Sequence, residues 1–169
     1  MRLAPLALVT SVCLFMAGCT SMAEIPPGTS MATVQTQYGK PTLTCPLPDG
    51  GFRAVWSQQP FGQYAWGTNV SPNGDVDVVV QLLADPVFRQ LEEGVWGPER
   101  VTCEFGPPAD IAGVGLPSVR KTVWSYRYKQ HGVWNMMMNV FFDPKTMIVV
   151  DHYPSPDPMY ELDRWPFFF

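Results

Sequence analysis

Apolar residues recur along this chain in two alternating rhythms. Four-residue spacing comes first, in Val34-Gln35-Thr36-Gln37-Tyr38-Gly39-Lys40-Pro41. Val34 and Tyr38 share a helical face, Gly39 suits the left-handed residue that closes a helix, and Pro41 stops continuation. Thr29 or Ser30 is placed to cap the start. β-Branched and aromatic runs with partial alternation follow at 52–57 and 64–70 and predict strands. Ser71-Pro72-Asn73-Gly74 has the composition of a type I turn, and a third strand is expected at 76–81. Asp85-Pro86 then caps and opens a short helix over 87–93, which Gly94 ends.

The same series of signals returns. Val101-Thr102-Cys103-Glu104-Phe105-Gly106-Pro107-Pro108 matches the stretch from Val34 to Pro41. Trp56-Ser57 matches Trp124-Ser125, Trp66 matches Trp134, and Ser71-Pro72 matches Asp143-Pro144. Asp85-Pro86-Val87-Phe88 matches Asp157-Pro158-Met159-Tyr160. The matches keep their order while the offset grows in small steps, as insertions in loops produce. Pro98, with Glu99 beside it, suits the first turn of the second helix. Strands are expected at 121–128, 133–142 and 147–152. The predicted fold class is α+β: two tandem repeats of short helices packed on a three-stranded antiparallel β-meander. A unit of this size is marginal alone, so the two are expected to pack together.

A different pattern opens the chain. Met1-Arg2 is a small basic start and 3–16 is mostly apolar, too short to span a bilayer, so the segment reads as an export signal. Met16-Ala17-Gly18-Cys19 directly behind it resembles the lipobox of bacterial lipoproteins. That resemblance implies cleavage between Gly18 and Cys19 and a lipid on the Cys19 sulfur. Thr20, in place of aspartate, implies sorting to the outer membrane. Two or more acyl chains hold a protein on a membrane stably where one does so only marginally. The expected organisation is a signal peptide at 1–18, a lipidated linker at 19–27, repeats at 28–93 and 94–160, and an aromatic tail at 161–169. The expected location is the periplasmic face of a Gram-negative outer membrane.

Composition fits a folded body, with 46% of residues hydrophobic and 15% charged. The formal net charge is −4, and removal of 1–18 takes away Arg2 and no acid. An acidic body without clustered Lys and Arg excludes a nucleic-acid partner. Cys13 leaves with the signal and Cys19 is the lipid acceptor, which leaves Cys45 and Cys103. In an oxidising compartment these are a candidate disulfide; two buried thiols are the alternative. No Cys or His cluster has metal-ligand spacing, and no cofactor is expected.

Gly28-Thr29-Ser30, Val34, Tyr38-Gly39-Lys40-Pro41 and Trp56, behind a lipobox, resemble the BamE/SmpA/OmlA family of small outer-membrane lipoproteins. Gly94, Val101, Phe105-Gly106-Pro107-Pro108 and Trp124 repeat the pattern. The resemblance implies two helices against a three-stranded antiparallel sheet, and a tandem version is similar to the β-lactamase-inhibitor-protein architecture.

Reactive chemistry is sparse. His131 lies beside Gly132 in an expected hairpin turn and His152 at a strand end; a Ser125, His152 and Asp151 triad has no Gly-x-Ser-x-Gly elbow behind it. Glu92 and Glu93 point to different helix faces. The reading is of a protein that is not an enzyme. Equivalent placement of Trp56 with Trp124 and of Trp66 with Trp134 suggests core packing. The functional alternative is that Tyr64, Trp66 and Trp134 form an exposed set of binding anchors. Met136-Met137-Met138 must reach both faces of its strand. Trp165 and Phe169 belong to a tail that either folds back or meets a partner. The expected function is a lipid-anchored periplasmic protein-interaction module in outer-membrane assembly or envelope maintenance, bound to an unidentified envelope protein. The alternative is a proteinaceous inhibitor of a β-lactamase- or lysozyme-type hydrolase, with 43–51 or 111–119 as the inserted loop.

Overall fold

The computed structural model describes residues 21–161. The signal peptide, the Gly18–Cys19 junction, the lipidation site and the tail residues Trp165 and Phe169 lie outside the described residues. A helical turn at Met22–Glu24 leads into α1 (Met31–Tyr38), which the Ser30 hydroxyl caps at Thr33 N. β1 (Leu43–Pro46), β2 (Phe52–Ser57), β3 (Ala65–Val70) and β4 (Val80–Gln81) form one antiparallel sheet in chain order. α2 (Asp85–Phe88) continues as a tighter turn over Arg89–Glu92, and α3 (Pro98–Phe105) begins on its proline. β5 (Asp110–Val114), β6 (Lys121–Gln130), β7 (Trp134–Phe142) and β8 (Val149–Pro156) form the second antiparallel sheet, again in chain order, and α4 (Pro158–Glu161) follows.

These are two four-stranded antiparallel sheets with only a few short helices, which corrects the expected tandem repeats of helices packed on three-stranded meanders. The added strands, β1 and β5, each lead their sheet and pair on one side only. Leu-Thr-Cys-Pro is too short to show alternation, and every residue of β5 is exposed, so neither carries the half-buried pattern that marks a strand. The segments 43–51 and 111–119, taken as loops, therefore contain paired edge strands. The expected third strand at 76–81 shrinks to β4, because Val76 makes only an isolated bridge to Val70 while Val76 and Val79 turn into the core. β8 starts later than expected and runs through Pro154 to Pro156, which an edge strand tolerates.

α1 and α3 end alike. Gly39 has φ 80°, ψ 179° and Gly106 φ 86°, ψ −173°, a region open in practice only to glycine. Each terminal carbonyl accepts a side-chain hydrogen bond from the second strand of its sheet. Trp56 Nε1 donates to Gly39 O at 2.9 Å, and the Tyr126 hydroxyl donates to Gly106 O at 3.2 Å. The donor stands 17 residues after the glycine in the first case and 20 in the second. Trp56 therefore matches Tyr126 in role, not Trp124, two positions earlier on the same face.

The two faces of the first sheet serve two cores. Ala54, Trp56 and Val70 pack beneath Met31 and Val34 of α1, with Met22 and Ile25. Val55 and Ala65 turn the other way, into a larger core of Phe88, Leu91, Trp96, Val101 and Phe105, which Tyr126, Tyr128, Met138, Val140 and Phe142 of the second sheet complete. Both sheets thus bury apolar surface on α2 and α3. Met138 joins this core while Met137, buried on the opposite face of β7, does not. Cys45 and Cys103 are joined in a disulfide, with Cα atoms 5.9 Å apart. Beside it Arg53 donates to Cys103 O at 3.0 Å and to Glu104 Oε1 at 2.8 Å, a cation at the end of α3 where the free carbonyls lie.

Candidate binding cleft

A polar seam joins the halves, and the main candidate site is built on it. β5 begins only at Asp110, opposite Ser125, so β6 has no strand neighbour on that side at Arg127. The side chain of Gln59 takes the place: Nε2 donates to Arg127 O at 2.8 Å and Oε1 accepts from Arg127 N at 3.3 Å. Arg127 Nε donates to Pro60 O at 2.8 Å, and Gln63 Nε2 donates to Asn135 Oδ1 at 3.0 Å. Buried polar groups need such partners, and here the partners come from opposite halves.

The same arginine reaches further. Its Nη1 donates to Oδ1 of Asp157, a residue with 0% of its surface exposed. That oxygen also accepts from Met159 N at 3.0 Å, which caps α4, while Asp157 N donates to Asn135 O at 3.1 Å. Asp157 Oδ2 has no hydrogen-bond partner among the described residues. A buried carboxylate oxygen left unmatched costs free energy, on the order of 1–3 kcal/mol.

Asp157 also lines a cleft of about 680 Å³. The β6–β7 hairpin, the end of β8 and α4 enclose it, and Val133, Trp134, Met136, Tyr160 and Glu161 line it together with Asp157. His131 and Gly132 turn the hairpin with φ 50° and 73°, which lifts Val133 and Trp134 to the surface. Trp134 is 59% exposed. Asp85 steadies this hairpin from below. Its carboxylate accepts from the Tyr128 hydroxyl at 3.0 Å and His131 N at 3.3 Å, and it pairs with His131 Nδ1 at 3.3 Å. Burial, then the bond to Asp85, holds the Tyr128 hydroxyl well above the usual phenol range. Asp85 was expected to cap α2; the cap residue is Ala84, without a side-chain bond, because the carboxylate is engaged across the halves.

The structure separates the aromatic residues singled out in the sequence. Trp134 is on the cleft, whereas Trp66 is half-buried against the α1-side core and stands opposite Trp56 in the β2–β3 register. Tyr64 is 39% exposed and follows Gln63, the residue bound to Asn135 beside Trp134. Ser125 and His152 do not meet: Ser125 shares a register row and a face with Asn139 and Tyr153, and His152 belongs to the next row, on the opposite face. Ser125 Oγ is bonded to Asn139 Oδ1 at 2.7 Å. Among the described residues, no three His, Cys, Asp or Glu side chains are grouped to hold a metal ion, and no helix is long and apolar enough to cross a membrane. Sequence reasoning took Asp157 only as a helix opener and passed over Gln59, Gln63 and Arg127. The one available signal was the match of Asp157-Pro158 with Asp85-Pro86, two acids at equivalent places whose carboxylates serve other elements.

No protein-family profile matches the chain, and neither does any curated protein. Among solved structures it is similar to a DUF4309 family protein (YjgB) from Bacillus subtilis, at 14% identity, over 75% of this chain and 76% of that one. The TM-score is 0.26, a likeness too slight to bear on fold or function.

Proposed function

We propose that this chain is a protein-interaction module held on the periplasmic face of an outer membrane through lipidated Cys19, and that the cleft beside Trp134 is its binding face. One observation carries the reading: an aromatic and apolar rim stands exposed around a concavity whose floor is fixed by both halves. Exposed tryptophan and tyrosine around a preformed hollow are the usual anchors of a protein interface. Tethering at one end of the chain would raise the effective concentration of this face near membrane-bound partners. Outer-membrane assembly and envelope maintenance are the settings in which such a tethered binder would act.

The test is photo-crosslinking from Val133 in the full lipoprotein in cells, with the same probe at Val78, an exposed residue away from the cleft. A discrete adduct from Val133, lost on Trp134→Ala, is expected. The same adduct from both positions, or none from Val133, overturns the assignment of the face. Separately, Cys19→Ser should move the protein from the membrane to the soluble fraction, and retention there would remove the anchor from the proposal.

The inhibitor reading is favoured by a second observation. The β5–β6 hairpin exposes Ile111, Val114, Leu116 and Val119, with Leu116 72% exposed. Leu116→Asp should abolish inhibition of a β-lactamase or lysozyme if this hairpin enters an active site. An unmodified protein that inhibits neither ends that reading.

A further inference from the structure

We infer that the cleft recognises a cationic side chain, arginine or lysine, flanked by apolar residues on a segment of a partner protein. This rests on the cleft being the binding face and adds the chemistry of what enters it. Three features of the lining converge. Asp157 Oδ2 is a buried acceptor with no donor among the described residues, on a residue that lines the cleft. Its bond to Arg127 matches one charge with one charge, and the carboxylate of Glu161 on the same lining has no ion-pair partner among the described residues. Trp134 is exposed on this lining, and Val133, Met136 and Tyr160 add apolar surface to it.

An N–H donor is what Oδ2 lacks, and a guanidinium or ammonium supplies one together with the charge that Glu161 favours. The aliphatic stem of such a side chain lies against apolar walls while its head reaches a carboxylate, and an indole beside it adds a cation–π contact. The molecule already contains one such pair, Arg100 3.7 Å from the ring centre of Trp96. An acidic or purely apolar segment meets the opposite conditions: the first is repelled by Glu161, and the second leaves Oδ2 without a donor. The cleft volume of about 680 Å³ admits more than one side chain, so apolar neighbours of the cation are expected to contribute.

The experiment uses detergent-solubilised full-length lipoprotein and three acetylated, amidated tripeptides: Leu-Arg-Leu, Leu-citrulline-Leu and Leu-Glu-Leu. Binding is read by calorimetry. The arginine peptide is expected to bind at least tenfold more tightly than the citrulline peptide, which keeps the shape and three of the five N–H donors but loses the charge, and the glutamate peptide is expected not to bind. Glu161→Gln and Trp134→Ala, both surface changes, should each weaken the arginine peptide several-fold with the melting temperature unmoved. Equal binding of the arginine and citrulline peptides overturns the inference, as does binding untouched by both substitutions. Binding that appears only in a chain ending at Glu161 also overturns it, since the chain's own last residues would then be the occupant. A Val133 adduct with no preference for arginine would leave the binding face standing and the cation rule refuted, so the two proposals fail separately.

Discussion

α1 and α3 carry the same sequence device, a branched residue, an aromatic four positions on, and a closing glycine, yet the molecule treats them differently. α1 rests on the outer face of the first sheet and leaves Tyr38 half-buried. α3 belongs to the core shared by the two sheets. Its Phe105 is fully buried, with ring centroids 5.1 Å from Phe88 and 6.1 Å from Tyr126. A disulfide and an arginine fasten α3 to the first sheet, and no comparable tie among the described residues fastens α1 to the second. A local motif specifies a helix and its end. It does not specify whether the helix becomes a cover or the member on which both sheets depend.

The largest effect expected from this asymmetry is that of the covalent tie. Cys45 and Cys103 are 58 residues apart, and freeing a loop of that length costs about 4 kcal/mol by chain entropy. Cys45→Ser with Cys103→Ser should lower the denaturation midpoint accordingly; a negligible shift would mean that packing and Arg53 alone hold α3. Next comes the paired truncation of the aromatics. Phe105→Ala should cost about 3–5 kcal/mol and Tyr38→Ala no more than about 2 kcal/mol. Equal losses in urea titrations would erase the distinction between cover and keystone.

The glycines sharpen the same contrast. Each sits where any side chain is strained by about 1–3 kcal/mol. A Cβ on Gly39 meets nothing within 4 Å, whereas one on Gly106 meets Val55 Cγ1 at 3.2 Å and Ser57 Cβ at 3.4 Å. Gly106→Ala should therefore exceed Gly39→Ala by about 1 kcal/mol, and the reverse order would show that α3 is not pressed on the first sheet. Tyr126→Phe removes only the hydroxyl that reaches Gly106 O and should cost about 1 kcal/mol; an unchanged midpoint would mean that this carbonyl is content without it.

The smallest effect lies in the turns. Ser71 supports the reversal after β3 with groups that do not titrate, but Asp143 supports the reversal after β7. Bonds from Thr146 N, Lys145 N and the Thr146 hydroxyl hold the Asp143 carboxyl below its ordinary range. A depressed folded value means that its contribution is present at pH above the unfolded value and is lost as pH falls through the folded one. The amide shifts of Lys145 and Thr146 should inflect below about pH 3.9, the ordinary aspartate value. An inflection at or above that pH would contradict the turn geometry.

Much of the local grammar was legible. The helices at 31–38 and 98–105, the strands beginning at Phe52 and Lys121, and the glycine stops follow from spacing and residue type. β1 and β5 were hidden because edge strands, paired once and exposed, need no hydrophobic alternation. The pairing of Trp56 with Tyr126 was hidden by a difference in spacing that repeat matching absorbs silently. The cleft was almost wholly hidden. Gln59, Gln63, Arg127 and Asp157 are polar residues on three separate stretches, and no periodicity links a glutamine in one half to an exposed backbone edge in the other. Trp134 alone of the site was visible, and nothing in the sequence separated it from Trp66, which serves the core.

Gln59 carries one more consequence. By presenting an amide to the backbone of Arg127 it acts as a stopper on a strand that would otherwise offer free donors and acceptors to any passing chain. On the far side of that sheet, Pro154 and Pro156 blunt β8 in another way, by lacking the N–H that templated growth requires. The outer margin of β5, exposed along its whole length and free of proline, carries no such device.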